Sequence, residues 1–160
     1  MPYERDMNKA SRTPGNEASL SRNVAFQMAC VISRMEQELR DTVLRGLDLS
    51  YSHFRVLEVL FETDGLQIGD LAKAVVVRQP VLSRVVDQME ERALVRRRPD
   101  SHDSRITRVW LTPTGRKALL AARPGAQRIV ERTLSVITAE ERELLGGLLR
   151  RMNREARWES

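Results

Sequence analysis

Residues 80–111 read PVLSRVVDQMEERALVRRRPDSHDSRITRVWL. Pro80 suits the opening of a helix, where its missing N–H would have no partner anyway. Leu82, Val85, Val86 and Met89 then recur on one helical face, which predicts a helix running to about Arg92. Leu94 to Arg98 reads as a short strand and Pro99 to Arg105 as a polar turn. Ile106 to Leu111 is a second strand, with Thr107, Val109 and Leu111 on one face. The two strands make a hairpin with a long tip. Between Arg92 and Arg108 stand six arginines (Arg92, Arg96, Arg97, Arg98, Arg105, Arg108) against Asp100 and Asp103, a net +4 within a chain whose total is +5. So short a hairpin needs no such charge for solubility, and the concentration points to a polyanionic partner.

Outward from this stretch the pattern stays helical. Upstream, Ser50 can cap a helix carrying Phe54, Leu57, Val59, Leu60 and Phe61 that stops at Asp64-Gly65, and a short helix follows at about Gly69–Val75. Further back, Leu20, Val24, Met28, Val31, Met35, Leu39, Val43 and Leu47 follow at spacings of three or four, predicting a helix of about seven turns. Downstream, Thr112-Pro113 starts a helix that Pro124-Gly125 is expected to kink or break. Thr138 and Glu141 form a capping box before a last helix bearing Leu144, Leu145, Leu148, Leu149, Met152 and Ala156. Residues 1–18 are polar and aperiodic and read as a flexible arm. The fold class is mainly α with a small β-hairpin wing. A winged helix-turn-helix lobe at 49–112 is flanked by a helical dimerisation region at 19–48 and 113–160.

Composition narrows the function. A chain of 160 residues, 41% hydrophobic and 31% charged with 4% aromatics, suits one helix-rich domain. The sequence pI of 10.1 alone says little, because 24 of its 27 basic residues are arginine and they are spread along the chain. One cysteine, Cys30, excludes an internal disulfide, and two distant histidines, His53 and His102, give no metal-ligand spacing. There is no phosphate-binding glycine loop, nucleophile elbow or zinc-protease motif, so no enzyme and no cofactor are expected. No apolar run approaches the ~18–20 residues that span a bilayer, and the N-terminal residues lack a signal peptide's apolar core, so a cytoplasmic location is expected.

The stretch from Leu49 to Leu120 resembles the MarR family of bacterial transcriptional regulators. The matching residues are Leu49-Ser50-x-x-His53-Phe54-x-Val56-Leu57, Asp70-Leu71-Ala72 and Arg78 through Glu90. They continue through Leu94-Val95-x-Arg97, Asp103-x-Arg105 and Leu111-Thr112-x-x-Gly115-Arg116. The chain departs from the family at Ala93, where glycine is usual, at His53, where glutamine is usual, and at Pro80-Val81, where a small polar residue is common.

The resemblance implies a homodimeric, sequence-specific regulator, usually a repressor, bound to double-stranded DNA at an inverted-repeat operator. Gln79, Pro80, Ser83 and Arg84 would open the recognition helix, Gln able to pair with adenine, Arg with guanine, and Ser with a base or phosphate. Arg98 and Arg105 would serve on the wing, Arg105 as a minor-groove probe. Asp103 would orient the Arg105 guanidinium, and His102 would reach phosphate. The family commonly answers to small aromatic or phenolic acids at the junction of the dimer helices and the lobe. Phe26, Cys30, His53, Phe54 and Trp110 are the candidates there, with Arg22 or Arg55 as partners for a carboxylate. Two alternatives remain open: a peroxide-sensing repressor acting through Cys30, and a sequence-indifferent architectural DNA binder.

Overall fold

The computed structural model describes residues 20–155. The expected arm at 1–18 and Ala156 of the last apolar stripe lie outside the described residues. The chain divides into two compact units, one up to Arg34 and one from Met35 onward.

The elements run in the expected order. Helix α1 spans Val24–Leu39, followed by a π-helical turn at Arg40–Leu44 and a 3₁₀ turn at Arg45–Leu47. Then come α2 (Tyr51–Glu62), β1 (Leu66–Gln67), α3 (Ile68–Ala74), α4 (Gln79–Glu91), β2 (Val95–Pro99), β3 (Thr107–Leu111), α5 (Pro113–Leu134) and α6 (Ala139–Glu155). The sheet order is β1-β3-β2, both pairs antiparallel. The hairpin was legible, but β1 was not. Two residues carry no alternation, and their pairing of Leu66 with Val109 and Gln67 with Arg108 is a tertiary event.

One core, within the unit from Met35 onward, joins Leu57, Leu60, Leu71, Leu82, Val86, Met89, Val95 and Val109 to Leu44 and Leu119. It therefore crosses the boundaries expected at residues 48 and 113. The single seven-turn helix is corrected: beyond Leu39 the chain winds into the π turn. Leu39 and Leu44 are the buried residues there, and their spacing of five is that of the π turn, leaving Val43 only half-buried.

The break expected at Pro124-Gly125 does not occur, and α5 is continuous from Pro113 to Leu134. Pro124 itself is exposed, while Ala122, Gly125 and Ile129 are buried, so packing of that face holds the helix together past the lost backbone bond. Gly125 permits a close approach, since a Cβ there would come within 2.5 Å of Val43 Cγ2.

Caps define the remaining ends. Ser50 Oγ accepts from the His53 N–H at 3.0 Å, and Thr112 Oγ1 accepts from the Gly115 N–H at 3.0 Å. The Thr138–Glu141 capping box forms as the sequence predicts, with bonds of 2.8 and 3.2 Å. Between α3 and α4 the chain turns through Val76 at φ 55°, a left-handed conformation costly for a β-branched residue.

Candidate nucleic-acid interface and ligand cleft

Helix α4 buries Leu82, Val86 and Met89. That orientation fixes its outer stripe: Gln79, Pro80, Val81 and Arg84 are exposed and Ser83 is half-buried. The helix begins at Gln79, one residue before the start the sequence suggests, with Pro80 within its first turn. No side chain caps this end: Pro80 carries no N–H, and the Val81 and Leu82 N–H groups donate to the Arg78 carbonyl at 3.0 and 3.1 Å.

The wing is fastened to this helix by Arg97. Its guanidinium pairs with Asp87 at 2.7 Å and Glu90 at 2.9 Å and donates to the Ser83 carbonyl at 3.2 Å. Glu90 also accepts from the Arg97 N–H at 2.7 Å. Strand alternation then turns Arg96 and Arg98 to the opposite face, where they lie across from Trp110 and Arg108. With Asp64, Gly65 and Asp100 they line an open cleft of about 420 Å³.

At the wing tip His102, Asp103 and Arg105 are all exposed. Asp103 has a different task from the one expected of it. Its carboxylate accepts from the backbone N–H of Arg105 at 2.9 Å, so it fixes the turn and leaves the guanidinium free of it. The organising group is Asp100, which pairs with the Arg108 guanidinium and accepts from the N–H groups of His102 at 2.8 Å and Asp103 at 3.2 Å. Arg108 and these N–H groups hold the Asp100 carboxyl down at about 2. Arg108 donates further to the Gly65 carbonyl at 2.9 Å. Of the six arginines in this stretch, Arg92 (paired with Asp48 at 3.0 Å), Arg97 and Arg108 are thus internally committed. Arg96, Arg98 and Arg105, with Arg84 on α4, form no ion pair among the described residues.

A second cleft, of about 540 Å³, opens between the end of α1, α2 and α5. Of the five expected ligand contacts only Phe54 borders it. Trp110 lies in the wing cleft, so close to Gly65 that a Cβ there would meet its ring at 2.6 Å. His53 is buried beneath the Ser50 cap. Phe26 and Cys30 belong to the N-terminal unit, where Phe26 is exposed and Cys30 is a half-buried free thiol. Arg22 lies in that unit too, and Arg55 does not line the cleft. Within the unit from Met35 onward, His53, Phe54 and Trp110 thus stand in three different surroundings. The sequence reading missed Glu58 and Arg123 on the cleft walls, since spacing alone does not show which charge faces a cavity.

A sequence model of the MarR family matches residues 47–106. The transcriptional regulator HosA of Escherichia coli is 36% identical over 105 residues, which cover 66% of this chain and 78% of HosA. Among solved structures, a MarR-family transcriptional regulator from Silicibacter pomeroyi is 32% identical with a TM-score of 0.80, over 91% of this chain and 97% of that one. The chain belongs to the MarR family. It is a winged helix-turn-helix protein of DNA binding and transcription regulation. A further similar structure, that of Bordetella bronchiseptica BpsR, is 26% identical with a TM-score of 0.73, over 81% and 98% of the two chains. The DNA binding of BpsR is regulated by 6-hydroxynicotinic acid. No helix among the described residues is long and apolar enough to cross a membrane.

Two departures from the family pattern now have physical readings. Ala93 sits at φ 54°, the conformation that glycine adopts without strain. His53 replaces the usual glutamine in a capping box: Nδ1 accepts from the Ser50 N–H at 3.2 Å. The proton of the neutral ring is then on Nε2, which is buried.

Burial pushes the imidazole below its ordinary value of 6.5. The Gln88 side chain and Asp48 favour the charged form and Arg92 opposes it. A charged ring would also carry a proton on Nδ1 and lose the cap. Because the folded state resists protonation, His53 leaves stability intact above about pH 6.5 and subtracts from it as pH falls below that value. His53→Gln retains a capping acceptor without the titration. The unfolding free energy of wild type should therefore fall relative to His53→Gln between about pH 7 and pH 5 in urea titrations. A difference that stays constant over that range would disprove the assignment.

Proposed function

We propose that this protein is a homodimeric, sequence-specific repressor that binds an inverted-repeat operator and leaves it when a small aromatic molecule occupies the 540 Å³ cleft. The observation that carries the DNA reading is the outward stripe of Gln79, Pro80 and Arg84 beside a wing whose Arg96, Arg98 and Arg105 are not neutralised. Helix α4 would enter the major groove, with Gln79 and Arg84 at base edges, Ser83 at a base or phosphate, and Pro80 setting the helix start. Arg105 would probe the minor groove from a tip that Asp100 and Asp103 hold in shape, with Arg98 and His102 near the backbone.

The effector reading draws on the size of the cleft, on its aromatic walls Tyr51 and Phe54, and on the regulation described for BpsR. The cleft lies where α2 and α5 meet, and α2 also packs on α4, so a ligand wedged there would change the spacing of the recognition elements.

Arg84→Ala should weaken operator binding by about 1–3 kcal/mol and relax base preference at one position. Arg105→Ala should weaken binding at A·T-rich flanks and lower the salt dependence by about one contact. Both are read from binding titrations over a range of salt, with competitor DNA. Unchanged affinity and salt slope in Arg105→Ala would refute the wing assignment. Equal affinity for operator and competitor in wild type would favour an architectural binder instead.

A further inference from the structure

The side chains of the α1–α2–α5 cleft point to a charge class for its ligand. We propose that this cleft selects an aromatic compound bearing a cationic amine, with Glu58 as its counter-charge. The inference rests on the reading of the cleft as the effector site.

Three charged residues line the cleft: Glu36, Glu58 and Arg123. Glu36 is engaged by Arg40 at 2.9 Å. Arg123 pairs with Glu62 at 3.1 Å and lies 4.2 Å over the Phe61 ring, so its closest partners lie outside the cleft, and it reaches Glu58 only through longer-range charge attraction. Glu58 is half-buried and has neither a hydrogen bond nor an ion pair among the described residues. Burial raises the pKa of its carboxyl, an effect that Glu62 adds to and that Arg123 and Arg55 oppose. The carboxylate is therefore held at a cost that a ligand cation would relieve.

The neutral polar group points the same way. The Gln127 amide spends one of its two N–H groups on Glu131 at 2.9 Å, and its carbonyl oxygen, which accepts no hydrogen bond among the described residues, can take a ligand donor. Tyr51 and Phe54 make part of the wall aromatic, which suits a planar or cationic guest. An aromatic acid, the class the family resemblance implies, would instead bring a second anion beside Glu58. The only arginine it could meet on these walls is already committed.

The test uses full-length protein and calorimetric titration with two probes of matched ring and length, tryptamine and indole-3-propionate. Tryptamine should bind about tenfold more tightly than indole-3-propionate. In Glu58→Gln tryptamine should lose about that factor while indole-3-propionate gains, a crossover that general structural damage cannot produce. Glu58 makes no bond for the substitution to break, and the unfolding midpoint checks that the variant is intact. Tighter binding of the acid in wild type, tryptamine affinity unchanged in Glu58→Gln, or no binding of either probe up to about 5 mM would each overturn the proposal. Operator release is measured separately. Glu58-dependent tryptamine binding without release would uphold the charge selection and sink the effector reading. Release by the acid alone would do the reverse.

Discussion

Replacing Gly115 by alanine is expected to cost about 3 kcal/mol or more of folding stability, a large share of the ~5–15 kcal/mol that holds a domain together. Gly115 stands in the first turn of α5, where its N–H completes the Thr112 cap. A Cβ there would lie 2.0 Å from the Leu94 carbonyl oxygen and 2.9 Å from its carbon. Those atoms are backbone and cannot swing aside like a side chain. The same carbonyl accepts from the Thr112 N–H at 3.2 Å, so moving it would also loosen the cap. Gly146 provides the contrast. It lies inside α6, and a Cβ there would meet only the Arg150 guanidinium, at 3.3 Å. Gly146→Ala should be neutral or should stabilise by up to about 1 kcal/mol through helix propensity. Paired urea denaturation curves decide the matter, and an unchanged midpoint in Gly115→Ala would contradict the packing described.

The helices and the wing were legible because their signals are local. Pro80 and the spacing of Leu82, Val86 and Met89 mark α4 without outside help, and Thr138 with Glu141 marks the start of α6. What stayed hidden was what depends on neighbours. Pro124 alone argues for a break, but the buried face of Ala122, Gly125 and Ile129 outweighs it. The π turn that puts Leu44 rather than Val43 in the core has no periodic signature of its own.

The candidate DNA surface divides in the same way. The arginine excess was visible as a count, but a count does not distinguish a cation offered to DNA from one spent in the fold. Arg97 belongs to the second kind because Asp87 and Glu90, three residues apart, share one face of α4. Asp100 was visible only as a charge opposing the arginines, although it shapes the tip that presents Arg105. Of the expected ligand residues Trp110 lies in the wing cleft and only Phe54 borders the α1–α2–α5 cleft, and Glu58 became visible only when its surroundings showed it without a hydrogen bond or ion pair.

Substituting both Leu145 and Leu148 by glutamate is expected to give a monomer that loses most of its operator affinity. Helix α6 is well capped, yet no residue on it is buried: Leu144, Leu145, Leu148 and Met152 are 64%, 40%, 43% and 52% exposed. The N-terminal unit likewise leaves Val24, Phe26, Val31 and Ile32 exposed. Soluble chains seldom keep such apolar stripes in water, and a second copy of the chain would cover them about a two-fold axis. That axis would also set two α4 helices one DNA turn apart, about 34–36 Å, which demands an inverted repeat. The dimer then gains affinity because one α4 brings the other to its half-site, an effect worth about 100-fold or more. In the double variant the core around Leu57 and Leu60 is untouched, so circular dichroism and the urea midpoint of the lobe should persist. Sedimentation should shift from dimer to monomer at micromolar concentration. Operator binding should fall by about 100-fold or more, while a weak, strongly salt-dependent affinity for any DNA remains. A variant that stays dimeric would show that this face of α6 is not the interface. A wild type that sediments as a monomer, yet binds one half-site as tightly as two, would overturn the assembly altogether.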